Sequence, residues 1–549
     1  MQSSLETVQE FRVESSNFPA EYGTGTGGQI TVVTKSGGNE FHGALFEFLR
    51  NSRLDARNFF DADKSALRMN QFGGSFGGPI IQNKLFFFAT YEGLRQRSAL
   101  NFVETVPSAS ARARAVPSIR PLLNAYPTGT EATANPDLAI ARLNTSSSID
   151  ENYGSLRLDY RPNDSNSFTL RYFRDEGSLR QPQGVTGNAM VVSAVPQNAM
   201  LSWQQIVSPT MIHEAKVGYN GYKTRVNGDA PAVAGVEMSA ISVDFTGNVS
   251  LHGIGGQGAS AGAARPGGLI RSNSTQNGRG QPYTNYSVSF IDTWSLLKGS
   301  HSIKWGVEVR PVRLYTDRLG GTTYTLSNID ALLNNNPSQI QFLGDLSAPS
   351  VFNNGVTGNR EARQTYYIGY LQDEWKLRSN LTMSYGLRYE YYSVLTEAKN
   401  RNVVFDTVNG RILPSDTPFY QSSPTNFAPR LAFSWSPEKF NNKTVFRVGA
   451  GYYYGPGQTE DLIQPIESDR VSLVARGRAF PISPQELIST FDPNSPTAGY
   501  QPRAYGPGYR VPERVLSYTA SWQQQLPSNS VLTVAYVGSQ GRNLFLRSW

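Results

Sequence analysis

The sequence predicts an all-β chain folded as an antiparallel transmembrane β-barrel, and three observations carry that reading. Apolar and polar residues alternate with a period of two. The connections between the alternating stretches are short and long in turn. The tryptophans gather beside the short connections. A strand points successive side chains to opposite faces, so a wall with one apolar face reads as alternation. Sandwiches and propellers mix their connection lengths, whereas outer-membrane barrels set short turns at one rim and long loops at the other.

About fifteen alternating segments begin near residues 41, 71, 84, 152, 166, 198, 210, 284, 301, 364, 380, 425, 443, 514 and 530. Leu381, Met383, Tyr385 and Leu387 alternate with Thr382, Ser384, Gly386 and Arg388, which predicts the first set outward and Arg388 and Glu390 inward. Ile303, Trp305, Val307 and Val309 repeat the pattern, as do Phe168, Leu170 and Tyr172 and the set Phe427, Leu431, Phe433 and Trp435. The short connections are IIQNK at 80–84, RPNDSN at 161–166, VSPT at 207–210, LLKGSH at 296–301, KLRSN at 376–380, SPEKFNNKT at 436–444 and LPSNS at 526–530. The long ones span about 94–151, 175–197, 223–283, 313–363, 393–424 and 455–513. Trp203, Trp294, Trp305, Trp375, Trp435 and Trp522 lie within about five positions of a short turn, and none of the six is in a long loop. Indole favours the boundary between lipid and water, so these six predict the periplasmic aromatic girdle.

Composition narrows the chemistry. The 549 residues include 28 Tyr and 28 Phe, too aromatic for a disordered chain. No run approaches the roughly 18 apolar residues of a spanning helix. Cysteine is absent, which removes thiolate chemistry and cysteine-based metal sites. The four histidines (His42, His213, His252, His301) lack metal-ligand spacing, and His213 and His301 beside turns read as exposed rim residues. A net charge of +7 spread over 50 basic and 43 acidic residues gives a mixed surface, not a nucleic-acid arm. GIGGQG at 253–258 fits a dinucleotide pattern but runs into ASAGAARPGG rather than a helix, and GTGTGG at 23–28 precedes a strand. Asp373 and Glu374 are adjacent and face opposite sides, one inward and one at the rim, so they make no acid–base pair. Arg157, Arg171, Arg388, Arg430 and Arg447 are inward residues that line the lumen or meet carboxylates inside it. There is no catalytic constellation, no enzyme and no cofactor in this reading.

The stretch EFRVESSNFPAEYGTGTGGQITVVTKSGGNEFHGALFEFLR resembles the end of a TonB-dependent receptor plug entering its first barrel strand. Tyr22, Gly23, Gly27 and Gly28, followed by the β-branched strand from Ile30 to Gly37, carry the likeness. QFGGSFGGPIIQNKLFFFATYEGLR at 71–95 is similar to strands of the Oar-like branch, and LQDEWKL, NLTMSYGLRYE, FAPRLAFSWSP and SVLTVAYVGSQGRNLF share its style. The resemblance implies residues 1–38 as the C-terminal remnant of a plug and 39–549 as a partial barrel, fifteen strands of the family's twenty-two. It also implies an outer-membrane location, TonB as partner through a segment absent from this chain, and lipid and lipopolysaccharide as surroundings. With no signal peptide and an odd strand count, the expectation is an internal fragment despite the terminal aromatic Trp549.

The function so implied is energy-coupled uptake of a bulky, scarce extracellular ligand. The alternative is a passive porin or adhesion barrel, which has no reason to precede its first strand with a glycine-rich β-segment. A secreted carbohydrate-active protein would need a carboxylate pair that is absent. For ligand contacts the long loops offer Tyr324, Tyr420, Tyr500, Tyr505 and Tyr509 with Arg470, Arg476, Arg478 and Arg503, because Tyr and Arg anchor binding surfaces.

Overall fold

A computed structural model describes residues 4, 6–15, 18–57, 64–182, 184–186, 189–229, 241–245, 283–316, 321–343, 359–401, 404–414, 416–440, 443–457, 466, 472–490, 504–528 and 530–544. It opens with a two-stranded antiparallel hairpin, β1 (Val8–Glu14) and β2 (Gln29–Thr34). Fifteen long antiparallel strands then form the wall: β3 (His42–Asn51), β4 (Leu67–Ile81), β5 (Leu85–Pro107), β7 (Leu138–Asn163), β8 (Asn166–Pro182), β9 (Ala189–Ser208), β10 (Met211–Asp229), β12 (Tyr283–Lys298), β13 (His301–Thr316), β16 (Arg360–Arg378), β17 (Leu381–Tyr392), β21 (Phe427–Trp435), β22 (Thr444–Gly455), β24 (Glu513–Gln525) and β25 (Val531–Arg542). The strand order closes a barrel with β25 beside β3. Residue-by-residue ladders join the other neighbours; none joins β25 to β3 among the described residues, and both strands expose nearly every side chain.

Alternation places the side chains as the sequence predicts. Tyr385 and Leu387 are exposed on the outer surface, while Arg388 and Glu390 are buried inside. The short connections turn tightly, and Asn83 and Gly299 adopt positive φ there, at 63° and 60°.

The other rim departs from the expected loops. β5 and β7 stay paired as far as Pro107↔Leu138, and β8 and β9 as far as Pro182↔Ala189. The expected 94–151 loop is therefore cut to residues 108–137, and the expected 175–197 loop to 183–188. Above the lipid the strands carry polar residues on both faces, as at Arg97 and Asp150 outside and Glu92 and Glu151 inside. The ladder continues on backbone hydrogen bonds while the period-two signal disappears.

The remaining loops build a cap. β11 (Ile241–Phe245), β14 (Gly321–Leu326), β15 (Gln339–Leu343) and β23 (Ser472–Ala475) come from three different loops and form one four-stranded sheet. Short helices α1 (Ala109–Arg114), α2 (Arg120–Asn124), α3 (Ile329–Leu333) and α4 (Pro484–Ser489) pack on it. Ser108, Asn328 and Ser483 cap α1, α3 and α4 by accepting a backbone N–H from three residues on. Leu122, Leu332, Ile340, Leu473 and Leu487 share their common core. Small two-residue strands complete the structure: β6 (Glu131–Ala132), β18 (Thr396–Glu397), β19 (Phe405–Asp406) and β20 (Arg411–Ile412).

Candidate functional site

The most densely bonded contact inside the wall is between residues 18–26 and inward side chains of β13, β16, β17, β21, β22 and β24. Pro19 and the glycines at 23, 25, 27 and 28 keep this stretch from joining β1 or β2, so its carbonyls need partners. The wall supplies them. Arg430 Nη1 donates to the carbonyls of Phe18 (3.0 Å), Pro19 (2.5 Å) and Tyr22 (2.7 Å). Its guanidinium lies 4.2 Å over the Tyr453 ring and 5.0 Å over Phe18, and these two rings are 4.4 Å apart. Arg388 Nη1 donates to the carbonyls of Ala20 and Glu21, and its Nε is ion-paired with Glu390. Glu390 Oε1 in turn accepts the Thr24 N–H at 2.9 Å.

Further contacts ring this centre. Lys304 Nζ meets the Glu21 carboxylate at 3.2 Å, Gln372 Oε1 accepts the Glu21 N–H, and Thr26 Oγ1 donates to Glu513. Gly23 fits only because it has no side chain: a Cβ there would run into Arg388 Nε and Glu390 Oε1. At the hairpin, Arg157 Nη1 donates to the Thr34 carbonyl, and Lys35 pairs with Glu6 at 3.1 Å. The arrangement is a clamp in which buried cations face backbone oxygens, bonds that are strong where water is excluded.

The inward arginines meet carboxylates of the wall, Arg388 with Glu390 and Arg157 with Asp159 at 2.8 Å. Arg157, Arg388 and Arg430 also hold the N-terminal segment through its carbonyls, because the segment offers backbone oxygens where they reach it. Arg171 and Arg447 do not take part; they donate to Asn198 and Gln523.

The outer surface carries two aromatic belts. Tyr160, Phe168, Trp203, His213, Trp294 and Trp305 form an unbroken file across β7, β8, β9, β10, β12 and β13, with centroids 6.3, 6.3, 5.4, 4.3 and 6.1 Å apart in turn. Trp375 stacks on His301 at 5.1 Å, Trp435 lies 6.0 Å from Phe446, and Trp522 stands opposite Phe446 on the next strand. His213 is therefore not an exposed rim residue. It is 8% exposed between Trp203 and Trp294, and its Nε2 meets Asp292 at 2.7 Å. Asp373 likewise faces outward yet is buried, accepting from His301 Nδ1 (2.6 Å) and the Tyr385 hydroxyl (2.8 Å). Neither carboxylate of the Asp373–Glu374 pair points into the lumen as a buried acid, since Glu374 is exposed near the short turn.

The second belt is of tyrosines, and the sequence reading missed it. Tyr219, Tyr286 and Tyr315 follow one another at 6.2 and 6.3 Å, Tyr367 stacks on Tyr391 at 6.0 Å, and Tyr91 and Tyr172 donate to Asn152 and Gln197. Its signal was present: a tyrosine recurs six to fourteen residues along these strands from the short turn. From Trp305 to Tyr315 is ten residues, which at about 3.3 Å each and a tilt of about 40° gives a band roughly 25 Å tall.

The loop residues predicted to touch ligand divide into three groups. Tyr324 is a core residue of the cap at 2% exposure; it packs on Phe480, accepts the Ile482 N–H, and burial pushes its phenol up to about 12. Tyr420 is also buried, accepting from Leu395 N and Gln364 Nε2, and burial pushes its phenol well up. Tyr505 and Tyr509 stack on each other at 4.9 Å above it and stay partly open, the Tyr509 phenol being raised to about 12 by burial. Arg476 and Arg478 are exposed on the cap. Arg470, Tyr500, Arg503, the 253–268 tract and Trp549 lie outside the described residues.

The profile described as "Outer membrane beta barrel domain" matches residues 33–117 and 111–548. The chain belongs to that outer-membrane β-barrel family. Family members are membrane barrels of the Gram-negative outer membrane, and they are not enzymes. The TonB-dependent transporter Oar of Myxococcus xanthus is 34% identical over 96 residues, 16% of this chain and 9% of that protein. The outer membrane transporter YddB of Escherichia coli has the same fold at TM-score 0.56 and 12% identity, covering 97% of this barrel chain and 56% of YddB. A ferric enterobactin receptor of Pseudomonas aeruginosa in complex with enterobactin superposes at TM-score 0.51 and 11% identity, covering 98% and 59%. The barrel chain thus spans less than two thirds of the proteins it is similar to.

Proposed function

We propose that this chain is the plug end and the greater part of the barrel wall of a TonB-dependent outer-membrane receptor. Such a receptor takes up a bulky extracellular ligand, using the inner-membrane proton gradient. Residues 1–38 are the plug portion and 39–549 the barrel portion. The observation that carries the reading is the clamp. A porin gains nothing from two buried arginines gripping a glycine-rich segment inside its lumen, whereas a transporter needs a stopper that is held at rest and released by force. Every hydrogen bond or ion pair from the wall to residues 18–26, except those to the Glu21 carboxylate and the Thr26 hydroxyl, ends on backbone, so a pull along the segment breaks them one after another rather than all together.

In this reading the tryptophan file is the periplasmic girdle and the tyrosine file the outer one, beside lipopolysaccharide. The ligand meets the partly open pair Tyr505 and Tyr509 and the cap arginines Arg476 and Arg478 first. Tyr324 and Tyr420 support the loops from within rather than contacting ligand.

The test needs no ligand. The chain has no cysteine, and a side chain at Gly25 would meet nothing within 4 Å, so Gly25→Cys is a clean reporter in the full receptor. Maleimide labelling of that cysteine in intact cells is expected to rise when TonB and the proton gradient are present and to fall when the gradient is collapsed. Labelling indifferent to both would point to the passive barrel.

A further inference from the structure

Higher on the lumen wall, Glu92 of β5, Tyr153 of β7 and Asp175 of β8 stand in one cross-strand row. Glu151 occupies the next inward position on β7, within hydrogen-bonding reach of Asp175, and faces Gly177. Phe173 stacks on Tyr153 at 6.0 Å. Gln71 donates to Glu92 Oε1 at 2.6 Å. Asp175 is 8% exposed, and its Oδ1 is buried with no hydrogen-bond partner among the described residues.

Three carboxylates so placed repel one another, and a buried one costs free energy until a cation joins it. Among the described residues none of the three is ion-paired. Arg95, Arg97 and Arg174 of the same strands face the outer side, where they pair with Asp150 and Glu176. Arg171, on the inward face, donates to Asn198. Among the described residues, a Cβ on Gly177 would meet only Glu151 Cγ, at 4.0 Å, so the position beside the two carboxylates accepts a larger group.

We propose that this patch is a binding subsite for an organic cation, an ammonium or guanidinium group carried by the transported ligand; the proposal rests on the receptor reading above. Two features select an organic cation over a metal ion. No three acidic or histidine side chains among the described residues converge closely enough to hold a metal. The stacked Tyr153 and Phe173 also present a π surface, which attracts soft, extended cations. The adjacent carboxylates of Glu151 and Asp175 suit the two-pronged donor edge of a guanidinium.

The probe is a fluorescent tri-arginine peptide titrated into the purified full-length receptor in detergent. Saturable binding that weakens with salt is expected. Asp175→Asn and Glu151→Gln should each lower affinity about tenfold or more, the scale of a hydrogen bond to a charged group. Gly177→Arg, which supplies a cation in place, should abolish binding while the protein keeps the gel mobility of a folded barrel. Tri-lysine should compete and tri-glutamine should not. Absence of binding to the folded wild type, or binding untouched by all three substitutions, overturns the proposal. The titration uses neither TonB nor a gradient, so its failure leaves the Gly25→Cys labelling result intact, and the converse holds.

Discussion

Replacing Arg430 by methionine tests the clamp at its centre. The substitution keeps a long side chain but removes the guanidinium from three carbonyls and two rings. Phe18 O keeps a bond from the Tyr453 hydroxyl and Pro19 O one from Tyr22 N, whereas Arg430 is the donor that Tyr22 O loses outright. A hydrogen bond to a charged group contributes about 1.5–3 kcal/mol and a desolvated cation–π contact about 1–2 kcal/mol. Part of that sum is returned because the open state no longer has an arginine to rehydrate. A net loss of about 3 kcal/mol in segment docking follows, which is roughly two orders of magnitude in the opening equilibrium. Amide hydrogen exchange over residues 18–26 should accelerate by that factor while the amides of β13 and β16 keep their protection. Maleimide capture at Gly25→Cys should accelerate in parallel, even with the gradient collapsed. Unchanged exchange in a folded Arg430→Met barrel would refute the assignment of Arg430 as the principal restraint.

Three other outcomes can be measured directly. Val309→Arg, on the outer face midway between the belts, should cost about 2–4 kcal/mol in a lipid-refolding titration, whereas Ser289→Arg on the inward face should fold normally. Asn335 clasps the cap through Phe480, donating from Nδ2 at 2.5 Å and accepting the Phe480 N–H at 2.9 Å; Asn335→Ala should cost about 2 kcal/mol and speed exchange at α3 and α4 together. In the loop after β17, desolvation pushes the Glu397 carboxyl up, but Arg401 and the backbone N–H groups of Arg401, Lys399 and Glu361 outweigh it and hold the carboxyl below its ordinary value. A lowered folded pKa means the stabilisation is complete above about pH 4.5 and is lost as pH falls further. Exchange protection of residues 396–401 should drop in that acid range and be insensitive to pH in Glu397→Gln.

The wall was legible in the sequence because lipid enforces it. An outward residue has only hydrocarbon to meet, so Leu381, Tyr385 and Leu387 leave a period of two that no neighbour can disguise. Where that pressure ends, legibility ends. Above Tyr91 and Tyr172 both strand faces are wet, and the extra length of β5 and β7 shows only in a register that local composition does not encode. The clamp was half legible. Alternation put Arg388 and Arg430 inside, but their partners are backbone oxygens, and a carbonyl has no sequence letter. The cap was illegible for a different reason. Ser108, Asn328 and Ser483 are recognisable caps, yet the helices they start have only five or six residues and exist because segments far apart in the chain bury them. The burial of Tyr324 and Tyr420 was illegible for the same cause: a tyrosine in a loop reads as exposed until the loop proves to have a core.

That core gives the cap a definite place in time. Ile340 of β15 pairs with Ala475 of β23, and Val106 shares a cluster with Leu487. Contacts across such sequence distances close late. β11 lies between β10 and β12, β14 and β15 between β13 and β16, and β23 between β22 and β24, so the sheet can be finished only when those wall strands stand together. An antibody fragment selected against the β15–β23 edge would therefore act as a completion marker. It would stain only cells whose barrel holds β13, β16, β22 and β24 together, and it would ignore any assembly intermediate in which one of them is out of place.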